Sequence, residues 1–298
     1  MKTLAACFEL KFGRIQFTPD ILPSDLTGSD VFSTEKDTPD TKEGHETEKE
    51  KKNPFNFIPG PILESEILLA DEINRAPPKV QSALLEAMEE KTVTVNNRPY
   101  KTLKPFIVCA TLNPIESEGV YPLPESQSDR FMLKLVIDYL KDIEEEIRVI
   151  NLYTQEEDPE IKESIIKKAE LRDIQNLVKK IYVSYPIKKY VAEIARLSRY
   201  KYYHQKLHSE ENKDFHENLS QEEKILFGAS TRASIHLIKV AKASAFLNNR
   251  DYVDIEDIIF IAYDVLRHRI ILDEADENPN TIIEGIITKI LQKVFVKI

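Results

Sequence analysis

Long apolar runs are absent from this sequence. Runs such as those at residues 67–70 and 105–110 are far shorter than the roughly 20 residues that a membrane-spanning helix needs. The sequence also opens without the charged-then-apolar leader of a secreted protein. We therefore expect a cytoplasmic protein that does not insert into a membrane.

Cysteines and metal-ligand patterns are equally scarce. Only Cys7 and Cys109 occur, and both lie among apolar neighbours, so we expect buried free thiols rather than a disulfide. The six histidines show no ligand spacing with a cysteine or a carboxylate pair. This argues against a metal ion bound by His or Cys.

Acidic residues outnumber basic ones by 51 to 41, which gives a net charge of −10 and a pI near 5.3. This balance argues against a general affinity for nucleic acid or anionic membranes. The basic residues between 179 and 201 alternate with apolar ones at helical spacing, which favours solvated helix faces over a nucleic-acid site. The hydrophobic content of 42% is enough to fill a sizeable core.

Apolar spacing divides the chain into two parts. Short β-rich runs alternate with helical segments up to about residue 140, which predicts an α/β part with a parallel sheet, and helical spacing then predicts an all-helical part. Predicted strands lie at 14–17, 67–70, 106–109 and 132–137, a hairpin at 91–103 turns at Asn96-Asn97, and helices lie at the chain start and at 78–90, 141–156, 170–183, 187–201, 231–247, 255–267 and 281–294.

A charged segment at residues 33–53 interrupts the α/β part. It mixes charges of both signs and has no residue able to pack a core, so we expect a solvated inserted loop. A second polar loop is predicted around 205–222.

Two acids, Asp71 and Glu72, follow the apolar run at 67–70. Ligands gather at the carboxyl ends of parallel strands. One carboxylate there can hold Mg²⁺ through water, and a second can orient or deprotonate a water that attacks a γ-phosphate. The alternative is a strand that ends in two solvated acids.

Three long motifs narrow this choice. LLADEINRAPPKVQSALLEAMEEKTVTV, ATLNPIESEGVYPLPESQSDRF and GASTRASIHLIKVAKA resemble the MoxR family of AAA+ ATPases, and RIQFTPDILPSDLTG and NNRDYV are similar to it as well. The resemblance covers the chain except the charged insert. It implies an α/β AAA+ parallel-sheet nucleotide-binding core at 1–140 with the insert at 33–53, a helical linker region at 141–183 and an all-helical lid domain at 184–298. It also implies ATP and Mg²⁺ as cofactors.

The resemblance assigns roles to three residues of the core. Asp71 is similar to the Walker B acid that coordinates Mg²⁺, and Glu72 to the catalytic base. Asn113, in ATLNP, resembles the sensor-1 residue that contacts the γ-phosphate or the attacking water. An asparagine at a strand end can instead cap a turn before Pro114.

Two arginines complete the implied site. Arg130 resembles the arginine finger that one subunit donates to its neighbour's nucleotide. It can alternatively pair with Asp129 or Glu125 and tether the loop. Arg232 resembles the sensor-2 arginine of the lid, and its alternative is a helix-start arginine in a surface ion pair.

Two hairpins of the family bear on substrate handling. The hairpin at 91–103 resembles the pre-sensor-1 hairpin, which can move with the nucleotide state, although a plain edge hairpin fits equally. Relatives carry a second β-hairpin within helix 2 where this chain has its charged insert. The charged run replaces most of that hairpin in our interpretation, which puts any remodelling role tied to it in question.

One part of the family's site is missing from the sequence. No G-x-x-x-x-G-K-[ST] loop occurs, and none of the seven glycines precedes Gly13. Lys2-Thr3 does not replace it, because the match to relatives places these residues about one helical turn past the phosphate-binding lysine. The strand before that loop would lie between the strands at 106–109 and 132–137, so each of these would lack a hydrogen-bonding partner on one side. We expect either a natural start upstream of Met1 or a degraded or split copy, and favour an N-terminally truncated sequence.

The resemblance implies an ATPase that assembles as a hexameric ring and acts as a chaperone-like remodeller or maturation factor. The implied partner is a von Willebrand factor A-domain protein. The alternative is a non-catalytic binding or scaffold protein that has lost nucleotide binding.

Overall fold

The computed structural model describes residues 1–32, 55–113, 120–154, 164–199, 225–272 and 279–295. They form two compact units, one of residues 1–123 with 161–168, the other of residues 124–160 with 169–298. The predicted loops at 33–53 and 205–222 lie outside the described residues. The predicted domain boundaries stay a prediction.

The first unit contains mostly short elements. In chain order they are α1 (Lys2–Cys7), β1 (Phe12–Gln16), α2 (Pro23–Thr27), β2 (Gly28–Phe32), β3 (Phe55–Pro59), α3 (Pro61–Glu64), β4 (Ile67–Asp71), a 3-10 turn (Ile73–Arg75), α4 (Pro78–Glu90), β5 (Thr92–Val95), β6 (Arg98–Lys101) and β7 (Ile107–Ala110).

The second unit is mainly helical. Its elements are α5 (Glu125–Ser128), α6 (Ile143–Tyr153), α7 (Lys168–Lys180, beginning at the boundary), α8 (Tyr185–Ser198), β8 (Ile225–Phe227), α9 (Thr231–Leu247), α10 (Ile255–Leu266), β9 (Ile271–Leu272) and α11 (Pro279–Phe295). The predicted helices at 78–90 and 231–247 are confirmed by α4 and α9. The other predicted helices are confirmed with ends that differ by a few residues.

A parallel sheet, with described strands in the order β1-β4-β7, forms the centre of the first unit. In the middle strand Ile67, Leu68 and Ala70 are buried, as expected of a parallel strand covered on both faces. Ala70 pairs with Ala110. Asp71 therefore lies at the same edge of the sheet as the residues that follow β7.

The predicted strand at 132–137 is wrong. Leu135, Val136 and Ile137 are exposed, and the segment joins none of the described strands. The backbone N–H of Lys134 donates instead to the carbonyl of Asp264 at 2.8 Å. A β-rich sequence becomes a strand only where another strand satisfies its backbone groups, and the apolar pattern does not report that partner.

The hairpin around Asn96 and Asn97 is confirmed. Both residues have positive φ, 47° and 62°, which suits the two-residue turn that matches the twist of antiparallel strands. The interpretation of the charged insert needs a correction, because β2 and β3 pair as antiparallel strands on either side of it. Paired strands of a hairpin therefore flank the insert, and the charged run does not replace them. The short flanking strands carry no strong periodicity, so sequence reading missed them.

The two β-pairs contact each other. The side chain of Asn96 donates to Asp30 at 2.6 Å. The rings of Phe57 and Tyr100 stack with centroids 4.1 Å apart. The β2–β3 pair is thus joined to the β5–β6 pair by one polar and one aromatic contact.

Helices α8 to α11 surround the core of the second unit. Its buried residues include Tyr190, Ile194, Leu237, Ile258 and Ile287. Side chains cap the first turns: Ser230 accepts from the N–H of Arg232, and Asp254 forms a reciprocal capping box. No helix in the described ranges is long and apolar enough to cross a membrane.

Both cysteines are free, as predicted, but they are half-buried rather than buried. Cys7 ends α1, a helix that contributes only one buried residue, Ala5. Cys109 lies on β7, which pairs with β4 alone among the described strands. The apolar neighbours of both cysteines in the sequence predict more burial than the structure shows. Each cysteine lies on an element that few other residues cover.

Candidate functional site

Asp71 ends β4 with both carboxylate oxygens occupied. Oδ1 accepts a hydrogen bond from the Thr111 hydroxyl at 2.6 Å. Oδ2 accepts from the guanidinium of Arg14, from Nε at 3.2 Å and from Nη2 at 2.6 Å. The Thr111 bond, followed by the Arg14 bonds, holds the pKa of Asp71 below its ordinary value despite partial burial. The group is therefore a charged carboxylate at neutral pH.

Glu72 adopts a left-handed backbone, with φ 56° and ψ 51°. This conformation costs a residue with a Cβ about 1 kcal/mol or more, and such strain is common at functional sites. The Glu72 N–H donates to the Thr111 hydroxyl at 2.9 Å, and its carboxylate accepts from Arg75 at 3.1 Å. The two adjacent acids therefore have different partners, Arg14 and Thr111 for the Asp71 carboxylate and Arg75 for that of Glu72.

Sequence reasoning missed Thr111, which bridges the two acids. Its hydroxyl donates to Asp71 and accepts from the N–H of Glu72. Its backbone also accepts from the N–H of Ile73 at 3.1 Å and donates to Ala70 at 3.0 Å. The available signal was its place directly after a parallel strand, opposite the acid that ends β4.

Arg14 was missed too. It lies on β1, two residues before Gln16, which pairs with Asp71 in the parallel ladder. Side chains two apart on a strand share a face, so Arg14 reaches Asp71 past Gln16, to whose side chain it also donates at 3.3 Å. The pairing of β1 with β4 is not visible in the sequence.

Asn113 lies three residues beyond β7, and the structure brings its backbone to the turn after Glu72. Its carbonyl accepts from the side chain of Asn74 at 3.4 Å. The carbonyl of Asn74 in turn accepts from the N–H of Tyr121 at 2.6 Å. The buried amide of Gln81 donates to the carbonyls of Ile73 and Tyr121. These contacts hold both ends of the segment after β7 against the 3-10 turn.

The two predicted arginines belong to the second unit. Arg130 follows α5 in a turn where its N–H donates to the carbonyl of Gln127 at 3.1 Å. Arg232 is the second residue of α9, and its guanidinium donates to Asp129 at 3.1 Å. An ion pair at a helix start is the alternative considered for Arg232, and the structure contains that pair. Asp71, Glu72 and Asn113 come together in the first unit, and the roles of both arginines stay predictions.

The oxygen atoms of the side chains at the carboxyl edge of the sheet are suitable ligands for Mg²⁺. In the described parts of the chain, no three His, Cys, Asp or Glu side chains gather into a metal cluster. Mg²⁺ needs no such cluster, because it keeps several waters and takes only one or two protein carboxylates beside substrate phosphates. Asp71, charged and flanked by the Thr111 hydroxyl, could hold the ion through water.

Family models match both parts of the chain. The model of the ATPase family associated with various cellular activities (AAA) matches residues 1–133, and the AAA lid domain model matches residues 218–289. A parallel α/β core that presents acids at its carboxyl edge, followed by a helical lid, is the fold of a AAA+ ATPase.

Individual relatives define the family more closely. The uncharacterized protein YeaC of Bacillus subtilis is 37% identical over 298 residues, 100% of this chain and 81% of that protein. Chaperone MoxR1 of Mycobacterium tuberculosis is 37% identical over 99% of this chain and 70% of that protein. A crystal structure of a candidate ATPase from Cytophaga hutchinsonii matches with a TM-score of 0.80 and 42% identity, over 98% of this chain and 79% of that one. The chain belongs to the MoxR family of AAA+ ATPases.

Proposed function

We propose that this protein hydrolyses ATP and uses the reaction for chaperone-like remodelling or maturation of partner proteins. The observation that carries the proposal is the Thr111 bridge, whose hydroxyl donates to the charged Asp71 and accepts from the N–H of Glu72 at the carboxyl edge of the sheet. The chaperone name of MoxR1, a relative that matches nearly the whole chain, supports the second half.

The first unit would supply the groups around the γ-phosphate. Asp71 would hold Mg²⁺ through water, and the bound ion would neutralise phosphate charge. Glu72, whose Oε2 accepts from Arg75, would orient and deprotonate the attacking water. The side-chain amide of Asn113 would contact the γ-phosphate or that water.

Two arginines of the second unit would contact the phosphates of bound ATP. Arg130 would reach the nucleotide of a neighbouring subunit, where a guanidinium stabilises charge on the transferring phosphoryl group. Arg232 would bind phosphate from the lid side. The role of Arg130 needs a ring, so we propose a homo-oligomeric, hexameric assembly in the cytoplasm with a von Willebrand factor A-domain protein as partner.

Hydrolysis is tested by the rate of phosphate release from ATP and Mg²⁺ by purified protein. Glu72→Gln should lower the rate to background, because an amide cannot accept the proton of the attacking water. Glu86→Gln, at an exposed acid on α4, should keep the wild-type rate. The 298 residues contain no phosphate-binding loop, so hydrolysis by this chain would have to occur without that part of the site.

The opposite result supports the alternative function. If wild type and Glu72→Gln release phosphate at the same background rate, the chain tested is not an ATPase. It would then be a binding or scaffold protein, whose activity is assembly rather than hydrolysis.

A further inference from the structure

A buried guanidinium organises one end of the second unit. The side chain of Arg269, three residues past α10, is only 1% exposed. Its Nε donates to Asp129 Oδ1 at 2.7 Å. Its Nη2 donates to the carbonyls of Asp129 at 2.9 Å and Phe131 at 2.5 Å, and to His236 Nδ1 at 2.7 Å. Its Nη1 donates to the carbonyl of Val265. Such a complete set of partners is what makes a buried charge tolerable.

Asp129 is shared between two arginines. While Oδ1 accepts from Arg269, Oδ2 accepts from the Ser230 hydroxyl at 2.9 Å and from Arg232 at 3.1 Å. Burial opposes the charged form, but the bonds from Arg269, Ser230 and Arg232 outweigh it, so the pKa of Asp129 lies below its ordinary value. One carboxylate thus joins the turn after α5, the first turn of α9 and the end of α10.

Arg130 lies in the middle of this arrangement. The carbonyl before it, of Asp129, and the carbonyl after it, of Phe131, both accept from Arg269. The Phe131 carbonyl also accepts from His268 Nε2 at 3.1 Å. The backbone on either side of Arg130 is therefore fixed to α10. It cannot shift without separating a buried ion pair, and leaving one charge of such a pair uncompensated is strongly unfavourable.

The same unit contains a second ion pair that serves as a comparison. Asp257, 2% exposed, accepts from Arg250 at 2.7 and 2.6 Å and from the Ser244 hydroxyl at 2.8 Å. This network holds the start of α10 to α9. Within the part of the chain that the structure describes, its hydrogen bonds join Ser244, Tyr252 and Asp254 to the pair, so it serves as the comparison for stability without a link to Arg130 or Arg232 of its own.

We propose that Asp129 and Arg269 are positioning residues that fix Arg130 and Arg232 as a single body. The arginine directed at a neighbour's nucleotide and the arginine of the lid then move together, so that a lid displacement is passed on to Arg130. This inference rests on the proposed ATPase function for its nucleotide, but the fixed geometry is a property of the second unit itself.

The test compares two matched pairs of variants in the full chain. Asp129→Asn removes the charge opposite Arg269, and Arg269→Lys keeps a charge but lacks the fork that reaches several acceptors at once. Asp257→Asn and Arg250→Lys make the same changes in the comparison pair. Three quantities are measured for each variant: the melting temperature, kcat and KM for ATP, and hydrogen exchange at the backbone amides of Arg130 and Phe131.

Both pairs of variants should lower the melting temperature. Asp129→Asn and Arg269→Lys alone should also lower kcat by about tenfold to a hundredfold, as expected when a reacting group is misplaced. Their KM for ATP should change by less than about threefold, because these variants lose stabilisation of the transition state rather than binding of ATP. The amides of Arg130 and Phe131, which donate to Gln127 and Ser128, should lose protection in these two variants only.

Two outcomes would overturn the inference. One is an equal fall in kcat for Asp257→Asn at a similar loss of melting temperature, which would make Asp129 merely structural. The other is unchanged exchange at Arg130 and Phe131 in Asp129→Asn. If wild type matches Glu72→Gln in rate, the proposed function fails while the exchange measurement still decides whether the pair holds the turn.

Discussion

One hydroxyl connects the two acids at the edge of the sheet. Thr111 donates to Asp71 and accepts from the N–H of Glu72, so it fixes a side chain and a strained backbone at the same time. A serine would offer the same two bonds without the packing of the methyl group. Valine would keep the shape and lose both bonds.

Thr111→Val should destabilise the protein by about 0.5–1.5 kcal/mol, because Asp71 and the Glu72 N–H each lose a hydrogen bond at an exposed site where water can replace it. It should also lower the ATPase rate, since Glu72 is no longer held in its left-handed turn. Thr94→Val, at an exposed position of β5, should change the free energy of unfolding by less than about 0.5 kcal/mol. Urea unfolding and phosphate release measure the two effects, and equal behaviour of both variants would contradict the bridging role.

At the scale of elements, two histidines are held in the neutral form. His236 lies on α9 and is buried, and His268 follows α10 and is partly buried. His236 Nδ1 faces Arg269, which can only donate, so the ring nitrogen accepts and cannot also be protonated. Burial, followed by the positive charge of Arg269, lowers the pKa of His236 from 6.5 to about 4. The same causes lower the pKa of His268 from 6.5 to about 3.

These histidines should make the protein acid-labile. Below pH 6.5 the unfolded chain binds protons at both rings while the folded chain does not, so stability falls as the pH drops towards the folded-state pKa values. Each histidine contributes at most about 1.4 kcal/mol per pH unit in that range. Urea unfolding at pH 7, 6 and 5 should show a shallower decline in His236→Asn, whose amide oxygen can still accept from Arg269. An unchanged slope would mean that His236 is protonated in the fold.

The observed elements also show which features could be predicted from the sequence. The helices over α4 and α9 were predicted with their observed bounds, because apolar spacing and caps are local signals. Asp71 and Glu72 were found because an acidic pair at a strand end is local as well. Thr111 and Arg14 were not, since their contacts depend on which strands pair. Asp129 and Arg269 are 140 residues apart, and no local pattern relates them.

At the scale of the whole molecule, the arginine-finger role of Arg130 can be separated from a role in its own subunit. Glu72→Gln subunits keep Arg130 but cannot hydrolyse their own ATP. Arg130→Ala subunits keep Glu72 but lack the finger. Each variant alone should show background activity.

Mixing the two variants in equal amounts should restore activity if Arg130 acts across a subunit interface. Half of the sites then contain Glu72 and half of their neighbours contain Arg130, so random assembly into a ring gives about a quarter of the wild-type rate. As a control, Arg130→Ala subunits are mixed with subunits that carry both Glu72→Gln and Arg130→Ala. No subunit then supplies the arginine, so this mixture should stay at background activity. A mixture of the single variants that stays at background would exclude the finger.

The left-handed backbone of Glu72 sets the carboxylate at this position against the stability of the fold. Glycine adopts this conformation without strain, so Glu72→Gly should be more stable than Glu72→Gln by up to about 1 kcal/mol, although both lose the carboxylate and the ion pair with Arg75. Equilibrium urea unfolding of the two variants measures the difference. The glutamate therefore supplies its carboxylate at a cost in stability that a glycine at residue 72 would not incur.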